Sequence, residues 1–77
     1  MTHTPHELAE EFPDKAEQIH QLKTSDAHFR RLFDQYHIVN RAIHRAETQV
    51  EPVEDIVETT MRKERMVLKD QIAAMLG

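Results

Sequence analysis

Between Asp26 and Glu47, apolar side chains recur at Phe29, Leu32, Tyr36, Val39, Ile43 and Ala46, and Val50 extends the series. Alternating steps of three and four residues return each group to the same side of an α-helix, which is the heptad rhythm of a helix burying a narrow seam. Phe33, Ile38 and Ala42 flank that seam and widen it, so the face can touch more than one partner helix. Asp26 stands where a carboxylate accepts from first-turn amides, with Ser25 as the alternative cap, and Arg41 and Arg45 lie toward the end where the helix dipole favours cations. The pattern predicts a helix over 27–48.

The segment "TQVEPVED" then interrupts. Pro52 is excluded from a helix interior but suits the first turn of a new helix, where Glu54, Asp55 and Glu58 supply negative charge. A turn near Gln49–Glu51 and a second long helix over 53–76 follow. Its apolar set is Val53, Ile56, Val57, Met61, Val67, Leu68, Ile72 and Met75, with a seam interrupted by Glu64 and Arg65. Upstream, Leu8, Phe12, Ala16, Ile19 and Leu22 make a weaker amphipathic region. Pro13 pushes Phe12 toward extended geometry, so a short helix over 13–23 is expected, with 1–12 loosely held.

These elements make one all-α domain over 1–77: an antiparallel hairpin of two long helices preceded by a short N-terminal helix. Within it Phe29, Leu32, Tyr36, Val39 and Ile43 should face Val57, Met61, Leu68 and Ile72. Pairing about the turn aligns residues whose numbers add to about 102, bringing Asp34 to Lys69, Arg30 to Asp70 and Arg45 to Glu58. So short a chain barely offsets its own ordering entropy with apolar burial. Either the first helix folds across the hairpin or hairpins pair into a helical bundle. The expectation is self-association of coiled-coil type into a dimer or tetramer, with Phe33, Ile38, Met66 and Met75 as the outer contact.

Composition narrows the chemistry. Among 77 residues there is no cysteine, so no disulfide or thiolate zinc site staples the fold. The single glycine is Gly77, which removes every glycine-rich phosphate cradle. No apolar run approaches a membrane span, and "MTHTPHELAEEF" lacks the basic and apolar regions of a secretory signal, so a cytoplasmic location is expected. The net charge of -4 disfavours general attraction to nucleic acid or anionic lipid.

His37 and His44 sit two helical turns apart, whereas a ligand pair on one helix wants a spacing of three or four. They read as boundary residues beside the seam, with His37 available to hydrogen-bond across the hairpin. His3 near the amino terminus has the position of a copper or nickel ligand, but that placement reads as incidental. Glu7, Glu10, Glu11, Asp14 and Glu17 read as a solvated acidic face, as do Glu51, Glu54, Asp55 and Glu58, and a hairpin offers them no dry pocket. No catalytic residue, metal site or cofactor is called for. Met61, Met66 and Met75 suit both core filling and adaptable contact with a partner helix. Arg62, Lys63, Arg65 and Lys69 form the basic group of an alternative reading, a small nucleic-acid-binding regulator, although Glu64 and Asp70 among them are more typical of a solvated surface.

The stretch "FPDKAEQIHQLKTSDAHFRRLFDQYHIVNRAIHRAE" followed by "MRKERMVLKDQIAAML" resembles the YdcH-like family of small bacterial proteins. The resemblance rests on Phe12-Pro13, Leu22-Lys23, Phe29, Leu32-Phe33-Asp34, Tyr36-His37, Ile43, Arg45 to Glu47, and Leu68-Lys69-Asp70 with Ile72. It departs mildly at Ala27, Met61, Met66 and Gln71. The resemblance implies a helical hairpin and a bacterial origin, and carries over no established activity. The expectation is a noncatalytic protein acting through helix-helix association, with itself and with a second protein as an extension.

Overall fold

The computed structural model describes residues 5–48 and 53–77. Val50, the turn expected at Gln49–Glu51, Pro52 and His3 lie outside the described residues. The elements are α1 (Leu8–Glu11), a 3-10 turn (Pro13–Lys15), α2 (Ala16–Ser25), α3 (Ala27–Glu47) and α4 (Asp55–Leu76). The all-α hairpin with its N-terminal helix is present.

Local chemistry sets the joints. Phe12, at φ -131° and ψ 64°, leaves the helical region without reaching the extended geometry expected before a proline, and separates α1 from the turn that Pro13 starts. Asp26, extended at φ -128°, is the only residue between α2 and α3. Its carboxylate accepts from the Phe29 amide at 3.0 Å and caps α3. Ser25 does not share that role: its hydroxyl donates back to the Gln21 carbonyl at 2.8 Å. The helix drawn from 13 to 23 is thus a 3-10 turn running into α2, and it extends to Ser25. Helix α4 begins at Asp55 rather than 53, with Glu54 extended ahead of it.

The main core gathers Leu8, Ile19, Phe29, Leu32, Tyr36, Ile72 and Leu76, with Phe12, Leu22, Phe33, Leu68 and Met75 packed against it. Helix α2 therefore folds across the open end of the hairpin, and Gln18 Nε2 donates to the Leu76 carbonyl at 3.1 Å, satisfying one of the acceptors left free at the end of α4. Ile43 and Ala46 continue the buried stripe of α3 toward its C-terminal end.

Two differences from the sequence pattern have simple causes. The buried stripe of α3 runs Phe29, Leu32, Tyr36, Asn40, Ile43, Ala46, with Asn40 in the place expected for Val39. A straight helix advances by about 3.6 residues per turn, so a strict 3.5-residue seam drifts off the contact line and the next position turns inward. The expected pairs Asp34–Lys69 and Arg30–Asp70 are not among those described. Arg30 bonds Asp34 one turn away on its own helix at 3.2 Å, and Lys69 lies 3.4 Å from Glu11. Neighbours four apart on a helix are already in reach, and α1 brings its own carboxylate to the cation. Val57, expected to face the hairpin core, is 44 % exposed.

Leu8 lies ahead of Phe12, in the part of the chain expected to be loose, yet it is only 1 % exposed. Leu8→Ala should cost about 2–4 kcal/mol in urea unfolding, the range for a truncated core leucine. A change below about 0.5 kcal/mol, typical of a surface position, would mean that α1 contributes little to the core.

Candidate functional site

The segment before α1 is held by polar side chains of α3. His6 has φ 62°, and around that left-handed turn two successive carbonyls accept from α3. The Tyr36 hydroxyl donates to His6 O at 2.6 Å, and Asn40 Nδ2 donates to Pro5 O at 2.8 Å. Arg65 Nη1 of α4 donates to Asn40 Oδ1 at 2.9 Å. One buried amide thus joins the first segment, α3 and α4, with both its ends satisfied. Burial pushes the Tyr36 phenol up to about 12, so it remains a donor across the ordinary pH range.

A second set of contacts runs beside the first. His37 Nδ1 lies 2.5 Å from Glu7 Oε2, an ion-pair contact without the angles of an aligned hydrogen bond, and Arg41 approaches the same carboxylate at 3.9 Å. Burial holds the His37 imidazole below the ordinary histidine range, opposed by Glu7. The His6 Nδ1 contact to Glu11 at 3.0 Å, aided by Lys69, holds the Glu11 carboxyl below its usual range. Phe33 packs its ring 4.4 Å from that of His37, with Lys23 Nζ 4.8 Å from the Phe33 ring centre. The buried Asn40 was not singled out from the sequence. The signal was an amide one position beyond the apolar stripe, opposite an arginine that interrupts the second seam.

The four outer-contact residues fall into two places. Ile38 and Met66 are 67 % and 59 % exposed, whereas Phe33 and Met75 are partly buried against the core. Ile38 lies in a shallow, mainly apolar groove between the long helices, lined by Gln35, Ile38 and Val39 of α3 and by Thr60, Lys63, Glu64, Val67 and Leu68 of α4. Ile56 and Val67 on α4 are also exposed, at 72 % and 52 %. Isolated exposed apolar residues are ordinary, but a run of them beside a groove marks a contact surface.

The basic residues of α4 are mostly engaged. Arg62 bonds Glu58 at 2.9 Å and approaches Glu47 at 3.7 Å; Arg65 bonds Asn40; Lys69 lies by Glu11 and 5.9 Å from the Phe12 ring centre. Lys63 is exposed and lines the groove. Among the described residues no group of three or more potential metal ligands is gathered, and no helix is long and apolar enough to cross a membrane. His37 is taken up by Glu7, and His44 is a half-buried residue farther along α3 whose carbonyl accepts from Thr48.

A family model described as "Protein of unknown function (DUF465)" matches residues 29–76, from Phe29 in α3 to the end of α4. The chain belongs to that family. In this DUF465 member the matched region is the helical hairpin itself, while α1 and α2, which close its open end, lie before the match. No curated protein and no solved structure matched the chain.

Two outcomes test the polar contacts. Asn40→Ala leaves the Pro5 carbonyl and Arg65 without their partner and should cost about 1–3 kcal/mol by denaturant unfolding. His37 has a lower pKa folded than unfolded, so near and below its ordinary value of 6.5 the unfolded chain binds more protons. Its contribution to stability is present above that value and is lost as pH falls through the folded pKa. Unfolding free energy measured across this window should rise with pH, and His37→Gln should flatten the rise; an identical slope in the variant would place the titration elsewhere.

Proposed function

We propose that this DUF465 protein is a noncatalytic association protein, working through helix-helix contact at the groove between α3 and α4, with itself first and with a second protein as an extension. The observation that carries the reading is that groove: an apolar trough lined by Ile38, Val39, Val67 and Leu68, with exposed Ile56 beside it. The resemblance to bacterial YdcH-like proteins supports a bacterial setting. Metal and acid-base roles find no support, since His37 is engaged with Glu7 and the Glu11 carboxylate with His6 and Lys69.

The competing nucleic-acid reading through Arg62, Lys63, Arg65 and Lys69 would require Arg62, Arg65 and Lys69 to give up intramolecular partners. Phosphate contact rewards cations that are free to approach the backbone, so the arrangement favours association instead.

Light scattering over a wide concentration range tests the proposal. Mass should rise with concentration for the wild-type chain and should stay at the monomer value for Val67→Asp and Ile38→Asp. Both positions are exposed, so circular dichroism should show unchanged helicity. A wild-type monomer throughout, or equal association of the variants, would overturn the reading.

A further inference from the structure

Helix α4 carries two stripes, one apolar and buried, the other mixed and exposed. One turns Met61, Leu68, Ile72 and Leu76 toward α3 and the core. The other runs Val57, Thr60, Glu64, Val67 and Gln71, in steps of three, four, three and four, all five exposed, with valine at two positions and polar side chains at three. An uncovered stripe at a 3.5-residue period on a helix already packed along its other side is a coiled-coil seam awaiting a second helix. Thr60, Glu64 and Val67 line the α3–α4 groove, so stripe and groove are one continuous surface.

The charges on that surface decide what fits. Arg62, Arg65 and Lys69 have partners within the chain, whereas Lys63 and Glu64, adjacent at the middle of the stripe, have no ion-pair partner among the described residues. Reversing the helix about Arg62 sets Val57 level with Val67 and Thr60 level with Glu64, and leaves Lys63 of one helix within one turn of Glu64 of the other. A parallel copy would instead set Glu64 against Glu64 inside an apolar seam, where like charges are costly. The pattern is therefore complementary to itself in one orientation only.

Size is compatible. A stable interface takes about 800 Å² from each partner, about one-seventh of the 5396 Å² that this chain exposes. A face two helices wide, about 20 Å, along the about 33 Å of a 22-residue helix supplies a footprint of that order.

Resting on the association reading above, we propose that the groove is filled by a second copy of this chain, its α4 antiparallel to the first about a two-fold axis near Arg62. Val57 of one copy then lies level with Val67 of the other, and Lys63 of each lies within one helical turn of the other's Glu64 in a neutral four-charge cluster. The polar pair at the centre fixes register and direction, and the apolar ends supply the contact.

Sedimentation equilibrium of the full chain tests this. Lys63→Glu and Glu64→Lys each place like charges across the axis and should weaken the dimer about tenfold, whereas their equal mixture should associate about as tightly as wild type. Direction is read by disulfides, because the chain has no cysteine of its own. A mixture of Val57→Cys and Val67→Cys chains should oxidise to the mixed dimer in preference to either homodimer. Dimers that persist in both charge variants with no preference on mixing, or homodimeric Val57→Cys disulfides in excess, would overturn the arrangement while leaving association intact. A wild-type chain that stays monomeric would overturn both.

Discussion

Six side chains from Phe29 to Ala46 form one buried stripe along α3, and the other elements are placed by the need to cover it. Helix α4 lies along the stripe, α2 crosses its first part with Ile19 and Leu22, and α1 delivers Leu8 beside Tyr36. Tyr36 and Asn40 add direction to this burial. Each is fully enclosed and each needs a hydrogen-bond partner, so the carbonyls of Pro5 and His6 must arrive at fixed points. Apolar packing alone would tolerate the first segment in several positions.

The cover is uneven along the hairpin. Near the open end, α1 and α2 close a core with Leu76 and Ile72 at its centre. Toward the start of α4, Ile56 and Val57 remain exposed, and the groove between the long helices opens to Ile38 and Val67. The radius of gyration of 13.1 Å exceeds the about 11.5 Å of a compact chain of this length, in keeping with a hairpin covered at one end. A small domain has little apolar area to spare, and a face left uncovered where the core is thinnest is where association gives the largest return.

The charged residues follow the same division. At the covered end the cations are used inside the chain: Lys69 on Glu11, Arg65 on Asn40, Arg41 near Glu7. The two ion pairs among them orient the first segment more than they stabilise the fold, since exposed ion pairs contribute only about 0–1 kcal/mol each. In the groove, Lys63 and Glu64 keep both signs facing outward.

The long helices and their antiparallel pairing were legible in the sequence because they rest on local rules: a 3.6-residue apolar period, the Asp26 cap, the restriction that Pro13 places on Phe12. The family match to 29–76 falls on that legible part. Which residue of the seam turned inward was decided only in the folded chain, because Val39 and Asn40 lie on either side of the contact line and the packing angle chose Asn40. The predicted pairs Asp34–Lys69 and Arg30–Asp70 gave way for a related reason: one-dimensional alignment counts residues along the two long helices, whereas α1 returns to the hairpin from more than fifty positions earlier and brings Glu11 to Lys69. Sequence periodicity determined which faces had to be covered. Tertiary structure decided what covers them, because burial is satisfied by any apolar surface that arrives, and only the hydrogen-bonding needs of Tyr36, Asn40 and Arg65 single out the one that did.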